Sequence, residues 1–177
     1  MAIEPGSYRL GPEDGTLTVR TGRTGTVAKA GHDLLLHVTE WSGTLVVGDE
    51  ASVALDADAT SLRVREGTGG LKPLGDGDYS NIEQTIDDDV LKRRDIAFRS
   101  TSVEATGDGL HVTGDLTLRG ATHPIAFDLA AAGGRLTGTA VVKQTGWGMK
   151  PYTALFGALK VADEVRVELD AQLTQSR

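Results

Sequence analysis

The feature that most constrains the fold is an alternation of apolar and polar side chains with a period of two, clearest in residues 112–129. Leu116 and Leu118 share one parity before a polar corner at residues 119–124, and Phe127 continues the pattern after it. The corner contains a glycine, which tolerates positive φ, and a proline, which stops further ladder hydrogen bonding. Two such runs joined by a corner predict an antiparallel β-hairpin with one apolar face.

The same alternation recurs along most of the chain, and the clearest example is the last candidate strand. Leu62 and Val64 extend one of these strands, and Ser42 marks a sharp corner between two others. The candidate strands outside the hairpin cover residues 7–10, 16–21, 26–29, 32–41, 43–47, 53–59, 96–98, 135–145 and 164–173. The pattern predicts about eight to ten strands.

One segment has a different period and predicts a helix. Residues 66–77 have the composition of a loop, and Ser80 with Glu83 then fits a capping box. Basic side chains gather near the end of the segment, where the helix dipole favours them. The apolar residues at intervals of four are Ile82, Ile86 and Val90. We expect a helix over residues 80–94.

Together these elements predict an all-β domain with one short helix. A chain of 177 residues is most simply one domain, here residues 1–177, and is long enough to bury a sizeable core. Short strands closed by turns form either a closed antiparallel barrel or a sandwich. Because each well-patterned strand has a single apolar face, we favour a closed barrel of about eight strands.

Composition narrows the function classes. A net charge of -7 and a pI near 5.0 argue against a nucleic-acid partner, which would need a basic surface. The absence of cysteine excludes disulfides and thiolate metal sites. No run of about 18 apolar residues appears, so we expect no membrane span. The N-terminus lacks the features of a signal peptide, and we expect a cytoplasmic protein.

No motif in the chain predicts catalysis, a metal or a cofactor. The four histidines, His32, His37, His111 and His123, lack the spacing of metal ligands. Asp87–Asp89 would fan out around a helix axis, so a solvated helix face is favoured over a cation site. The glycine-rich segments 22–25 and 67–70 lack the ending of a phosphate-binding loop, and no nucleophile elbow is present.

His32 is the histidine with the strongest functional interpretation. It precedes Asp33, but adjacent strand residues point to opposite faces, so the pair does not form a catalytic dyad by itself. At the mouth of a barrel, His32 would contact the head group of a ligand.

The side chains predicted to point inward form a mainly aliphatic lining. They are Leu17, Val19, Val53, Leu55, Phe98, Leu116, Leu118, Phe127, Val167 and Leu169. A barrel of about eight strands either fills its interior with side chains or holds one ligand. The pattern alone leaves a packed core and a ligand cavity equally open.

Four segments resemble the YceI-like family over nearly the whole chain, from about residue 7 to residue 174. The segment GDLTLRGATHP at residues 114–124 is similar to the family hairpin and is the most specific. The others are GH at 31–32 with WSG at 41–43, the helix-to-strand segment at 90–101, and GWGM at 146–149. Residues 143–145 stand where many members carry an arginine, which indicates a divergent branch.

The resemblance implies a lipocalin-like barrel that binds a long-chain amphiphile, such as a polyisoprenoid, an isoprenoid quinone or a fatty-acid derivative, without a cofactor and without catalysis. It also allows a homodimer. The expected ligand-binding residues are Leu17, Val19, His32, Leu34, Leu36, Val53, Leu55, Ile82, Ile86, Phe98, Leu116, Leu118, Phe127, Trp147, Val167 and Leu169.

Two alternatives stay open. One is an enzyme of the barrel interior, an isomerase or hydrolase that uses His32 or His37. The other is a packed interaction module without a ligand, whose working parts would be the acidic surface and the helix over residues 80–94.

Overall fold

The computed structural model describes residues 3–26, 28, 31–70, 73–154 and 159–175. It is an all-β structure with one short α-helix, α1 (Asp76–Thr85). The strands are β1 (Gly6–Leu10), β2 (Gly15–Arg20), β3 (Arg23–Thr24), β4 (Asp33–Val38), β5 (Trp41–Val47), β6 (Ser52–Ala57), β7 (Leu62–Thr68), β8 (Ile96–Thr106), β9 (Gly109–Leu118), β10 (Ala121–Ala132), β11 (Arg135–Lys143), β12 (Thr153–Ala154), β13 (Leu159–Val161), β14 (Glu164–Gln172) and β15 (Thr174–Gln175).

Twelve of these strands form one antiparallel sheet in the order β15-β1-β5-β6-β8-β9-β10-β11-β14-β2-β4-β7. The prediction of a closed eight-stranded barrel was wrong in strand number and in closure. In the described part of the chain, β15 and β7 are the two edges and do not pair with each other. The sheet is instead a strongly curled half-barrel. Leu10 near one edge and Leu62 near the other line the same internal cavity.

Two chain crossings lie side by side, and each links a strand near one end of the sheet order to a strand near the other end. One joins β4 to β5 at residues 39–40, and the other joins β6 to β7 through a 3-10 turn at Ala59–Ser61. Thr39 N donates to Ser61 O at 2.9 Å, and Asp58 N donates to Glu40 O at 3.0 Å. These two backbone hydrogen bonds therefore join the crossings to each other outside the β-ladders of the sheet. The corner predicted near Ser42 lies a few residues earlier, since Ser42 is paired within β5.

The hairpin of residues 112–129 is confirmed, with a tighter turn than predicted. Arg119 and Gly120 alone connect β9 to β10, and both have positive φ, as a two-residue hairpin turn requires. Pro124 lies inside β10 opposite Asp115, rather than in the corner. It is tolerated there because β10 pairs with β11 only from Asp128 onward.

The splaying of β10 from β11 leaves room for a 3-10 turn at Gln144–Trp147, directly after β11. Trp147 is buried in this turn, and its ring lies edge-on to the ring of His123 with centroids 5.7 Å apart. The turn thus packs against the part of β10 that β11 does not cover.

The helix begins earlier and ends earlier than the predicted 80–94. Gly75 precedes α1, and the Asp78 side chain accepts a hydrogen bond from Gly75 N at 2.9 Å. Ser80 lies inside the helix, so it does not cap it. A π-helical turn follows at Ile86–Val90, and the chain then leaves the helix where Lys92 and Arg93 adopt positive φ.

A second, three-stranded sheet has the order β12-β13-β3. The sequence predicted no strand between residues 145 and 164, whereas β12 and β13 both lie there. Residues 155–158 lie outside the described residues. The strand predicted over 26–29 also falls partly outside them, at residues 27 and 29, and the strand of this region is β3.

Candidate functional site

A cavity of about 570 Å³ lies against the inner face of the curled sheet. Its wall is mainly aliphatic and aromatic, and α1 with the following π-helical turn covers one flank through Ile82, Ile86 and Val90. The volume is in the range of about 300–1,000 Å³ that is typical of small-molecule sites. The interior is hollow, which answers the question that the sequence left open.

Strand register explains why the wall is apolar. Leu55 is opposite Phe98, and Phe98 is opposite Leu116, so one row of inward side chains crosses three strands. On the other side, Val167 is opposite Val19, which is opposite Leu36. Because side chains alternate between the two faces of a sheet, each inward residue brings its cross-strand partner inward as well.

The structure places fifteen of the sixteen predicted ligand-binding residues on the cavity wall. They are Leu17, Val19, His32, Leu34, Leu36, Val53, Leu55, Ile82, Ile86, Phe98, Leu116, Leu118, Phe127, Val167 and Leu169. Trp147 does not line the cavity: its Nε1 donates a hydrogen bond to Leu116 O at 2.8 Å. Contact of the fifteen residues with a ligand stays a prediction.

Further apolar wall residues were missing from the predicted set. Val38, Leu45, Ile125, Leu129, Leu136, Val142 and Val165 also line the cavity. Most have the inward parity of their strands, and this signal would have identified them. Trp41 is another wall residue, and it lies at the first position of β5.

One end of the cavity is polar, and we call it the polar end. It consists of Thr21, Arg23, His32, Gln144, Tyr152 and Lys160. Backbone hydrogen bonds bring these segments together: Ala162 N donates to Gly22 O at 3.0 Å, and Val161 N donates to Tyr152 O at 2.9 Å. The Gln144 side chain donates to Ala162 O at 3.1 Å. Only His32 of this group was predicted, because the segments that carry the others, such as the two-residue strand β3 and the three-residue strand β13, are too short for a periodic signal.

The other three histidines lie away from the cavity wall. His37 is on the outer face of β4, and burial, followed by the nearby charge of Arg65, lowers its pKa. The Nδ1 atom of His111 lies 2.7 Å from Asp128 on the outside of the sheet. His123 packs against Trp147.

The three consecutive aspartates of the π-helical turn do not converge on one point. Asp88 pairs with Arg93 at 2.8 Å, and Asp89 is exposed. Asp87 is partly buried, and this burial raises its pKa. Within the described ranges, no three His, Asp or Glu side chains are placed to hold a metal ion. No helix in the described part of the chain has the length and hydropathy to cross a membrane.

Comparisons with solved structures show the same fold at low sequence identity. The crystal structure of Burkholderia cenocepacia BcnA matches with a TM-score of 0.58 at 18% identity, over 87% of this chain and 94% of that one. The Campylobacter jejuni YCEI protein matches with a TM-score of 0.61 at 13% identity, over 80% of this chain and 84% of that one. No curated protein has a sequence that matches this chain.

A family comparison covers nearly the whole sequence. The model of the YceI-like domain matches residues 8–173, which include all strands from β2 to β14 and the helix that covers the cavity. The match agrees with the four segments that resembled the family in the sequence. The chain belongs to the YceI-like family.

Proposed function

We propose that the protein binds a long-chain amphiphile in the cavity, and carries or sequesters it without chemical change. The observation that carries this proposal is the apolar cavity of about 570 Å³ inside the sheet. A polyisoprenoid, an isoprenoid quinone or a fatty-acid derivative has the apolar tail that such a wall accommodates. Membership in a family of proteins that bind hydrophobic ligands supports the same function.

The free energies of burial and association favour a ligand with a long tail over a small metabolite. Burial of each methylene group contributes about 0.8 kcal/mol, whereas association costs on the order of 4–15 kcal/mol. Micromolar affinity needs a net free energy of about −8 kcal/mol. A tail of roughly 15–20 carbons reaches this value largely through burial, and one of about five carbons does not.

Native mass spectrometry of the protein purified from its own host tests the proposal. We expect a co-purifying small molecule, released on denaturation and identified from its mass. After this molecule is removed, the protein should bind a hexadecyl amphiphile in its place. The proposal would be overturned if no small molecule co-purifies with the protein and the purified protein binds no hexadecyl amphiphile.

The enzyme alternative is now confined to His32, because His37 lies on the outer face of the sheet and His32 lines the cavity. Incubation of the loaded protein, followed by mass analysis of the released ligand, separates the two functions. An unchanged ligand supports binding alone. A changed ligand in the wild type that stays unchanged in His32→Gln would establish an enzyme.

A further inference from the structure

The charged residues that line the cavity are basic, although the chain as a whole carries a net negative charge. The protein has 25 acidic and 18 basic residues. Among the described residues, however, no aspartate or glutamate lines the cavity, whereas Arg23 and Lys160 do. Both cations lie at the polar end, beside the neutral polar groups of Gln144 and Tyr152. The carboxylate of Asp33 is bonded to Arg23 but does not line the cavity.

Register in the small sheet places Arg23 on its cavity side. Arg23 is opposite Val161, and Val161 N bonds to the carbonyl oxygen of Tyr152. Since partners across an antiparallel ladder share a face, these three residues form one row, and all three line the cavity. Lys160 has the other parity, is exposed and also lines the cavity.

Two hydrogen bonds within the protein orient the guanidinium of Arg23. Its Nε donates to Asp33 Oδ1 at 3.0 Å, and its Nη1 donates to Gly31 O. The side chain is 24% exposed. No described residue accepts a hydrogen bond from Nη2. An arginine that is already oriented by its own protein loses little further side-chain entropy when it binds a ligand.

The two glycine-rich segments without an assigned role meet at this point. Arg23 belongs to segment 22–25, and its guanidinium lies directly against Gly69 of segment 67–70. The neighbouring Gly70 lies against the His32 ring. Both glycines have positive φ, and a Cβ at either would overlap these side chains. The segments therefore act together to make room for the polar end.

We propose that the polar end of the cavity binds an anionic head group, a carboxylate or a phosphate, through Arg23. This inference rests on the proposed function and names the chemistry of its ligand. Arginine donors match the oxygens of both anions. The tail supplies most of the affinity, and the head group determines which amphiphile is preferred and which way it lies.

Titration calorimetry with hexadecanoate, hexadecyl phosphate and hexadecanol tests the inference, because the three probes share one tail. We expect wild-type protein to bind the better of the two anions about fivefold more tightly than the alcohol. The ratio should fall as salt is added, because screening weakens the charged contact. The tighter of the two anions identifies the head group.

Arg23→Gln should remove the preference, so that the anion binds no more tightly than the alcohol. Arg20→Gln is the matched control: Arg20 lies three residues earlier and also pairs with a carboxylate, Glu168 at 2.8 Å, but on the outer face. It should keep the preference. Alcohol binding reports whether each variant is folded, and the salt series on wild-type protein needs no variant.

The outcomes separate the two proposals. If no probe binds, the proposed function fails. If the three probes bind wild-type protein equally, amphiphile binding stands and the inference about the head group is overturned. It is also overturned if the preference for the anion survives in Arg23→Gln.

Discussion

Trp147 Nε1 donates a hydrogen bond to Leu116 O at 2.8 Å, across 31 positions of the sequence. The bond joins the turn after β11 to β9, beside the half of β10 that β11 leaves unpaired. Both residues are buried. The tryptophan predicted to contact the ligand therefore does not line the cavity, and its hydrogen bond instead supports the strand that carries the wall residue Leu116.

Trp147→Phe removes this hydrogen bond and also leaves a smaller ring, and both changes should lower the free energy of unfolding. Trp41→Phe is the matched control, because Trp41 is equally buried and its Nε1 has no partner among the described residues. We expect Trp147→Phe to lower the free energy of unfolding by about 1 kcal/mol more than the control does. Urea unfolding measures both. Equal losses would mean that the bond contributes nothing to stability.

Phe127→Asp should destabilise the fold and abolish tail binding. The Phe127 ring lies 5.2 Å from that of Phe98 on the cavity wall, where a carboxylate has no counter-ion. The expected loss is about 3 kcal/mol or more, and Leu118→Asp should behave alike. Thermal unfolding and hexadecanol binding measure the two effects.

The control for these variants is Val141→Asp, since Val141 is 51% exposed on β11. It should retain both stability and binding. Wild-type stability and ligand uptake in Phe127→Asp would contradict the placement of this side chain in the cavity.

Glu83→Ala should loosen the helix that covers the cavity. The Glu83 carboxylate accepts a hydrogen bond from Val64 N at 2.9 Å, and β7 is an edge strand whose amides otherwise lack a strand partner on that side. We expect the Val64 amide to exchange with solvent about fivefold faster. Hydrogen exchange followed by NMR measures the rate.

Asp89→Ala is the control for Glu83→Ala, since Asp89 is exposed in the π-helical turn that follows α1. Its Val64 amide should exchange at the wild-type rate. The same rate in both variants would show that Glu83 does not hold the helix against the strand.

Asp58→Ala should destabilise the protein at neutral pH and much less in acid. The Asp58 carboxylate accepts hydrogen bonds from Thr60 N at 2.8 Å and Thr60 Oγ1 at 2.7 Å, and these bonds lower its pKa. A carboxyl whose pKa is depressed by folding stabilises above its unfolded pKa and loses that contribution as pH falls through the folded pKa.

The loss expected for Asp58→Ala at neutral pH is about 1 kcal/mol, typical of a removed cap. Unfolding of wild type and variant over a pH series measures it. The gap between the two should narrow below about pH 4, near the ordinary pKa of an aspartate. A gap that does not change with pH would mean that the charged form has no special role.

The sequence predicted the outcome best where the signal is local. Alternation along β2, β6 and β14 assigned the inward side chains correctly, because neighbouring residues in any strand face opposite ways. The prediction from the capping motif was wrong about the start of the helix. Glu83 matched a capping motif, but its carboxylate is bonded to an edge strand that lies 19 residues earlier in the chain.

By itself, the sequence determined that the chain forms a sheet with one apolar face, since a period of two is a property of each segment alone. Only the tertiary structure decided that the sheet curls without closing, that its interior is hollow, and that Arg23, His32 and Tyr152 share one end of the cavity. These features depend on which distant segments pair and at what register. No residue pattern within a single segment specifies such pairing.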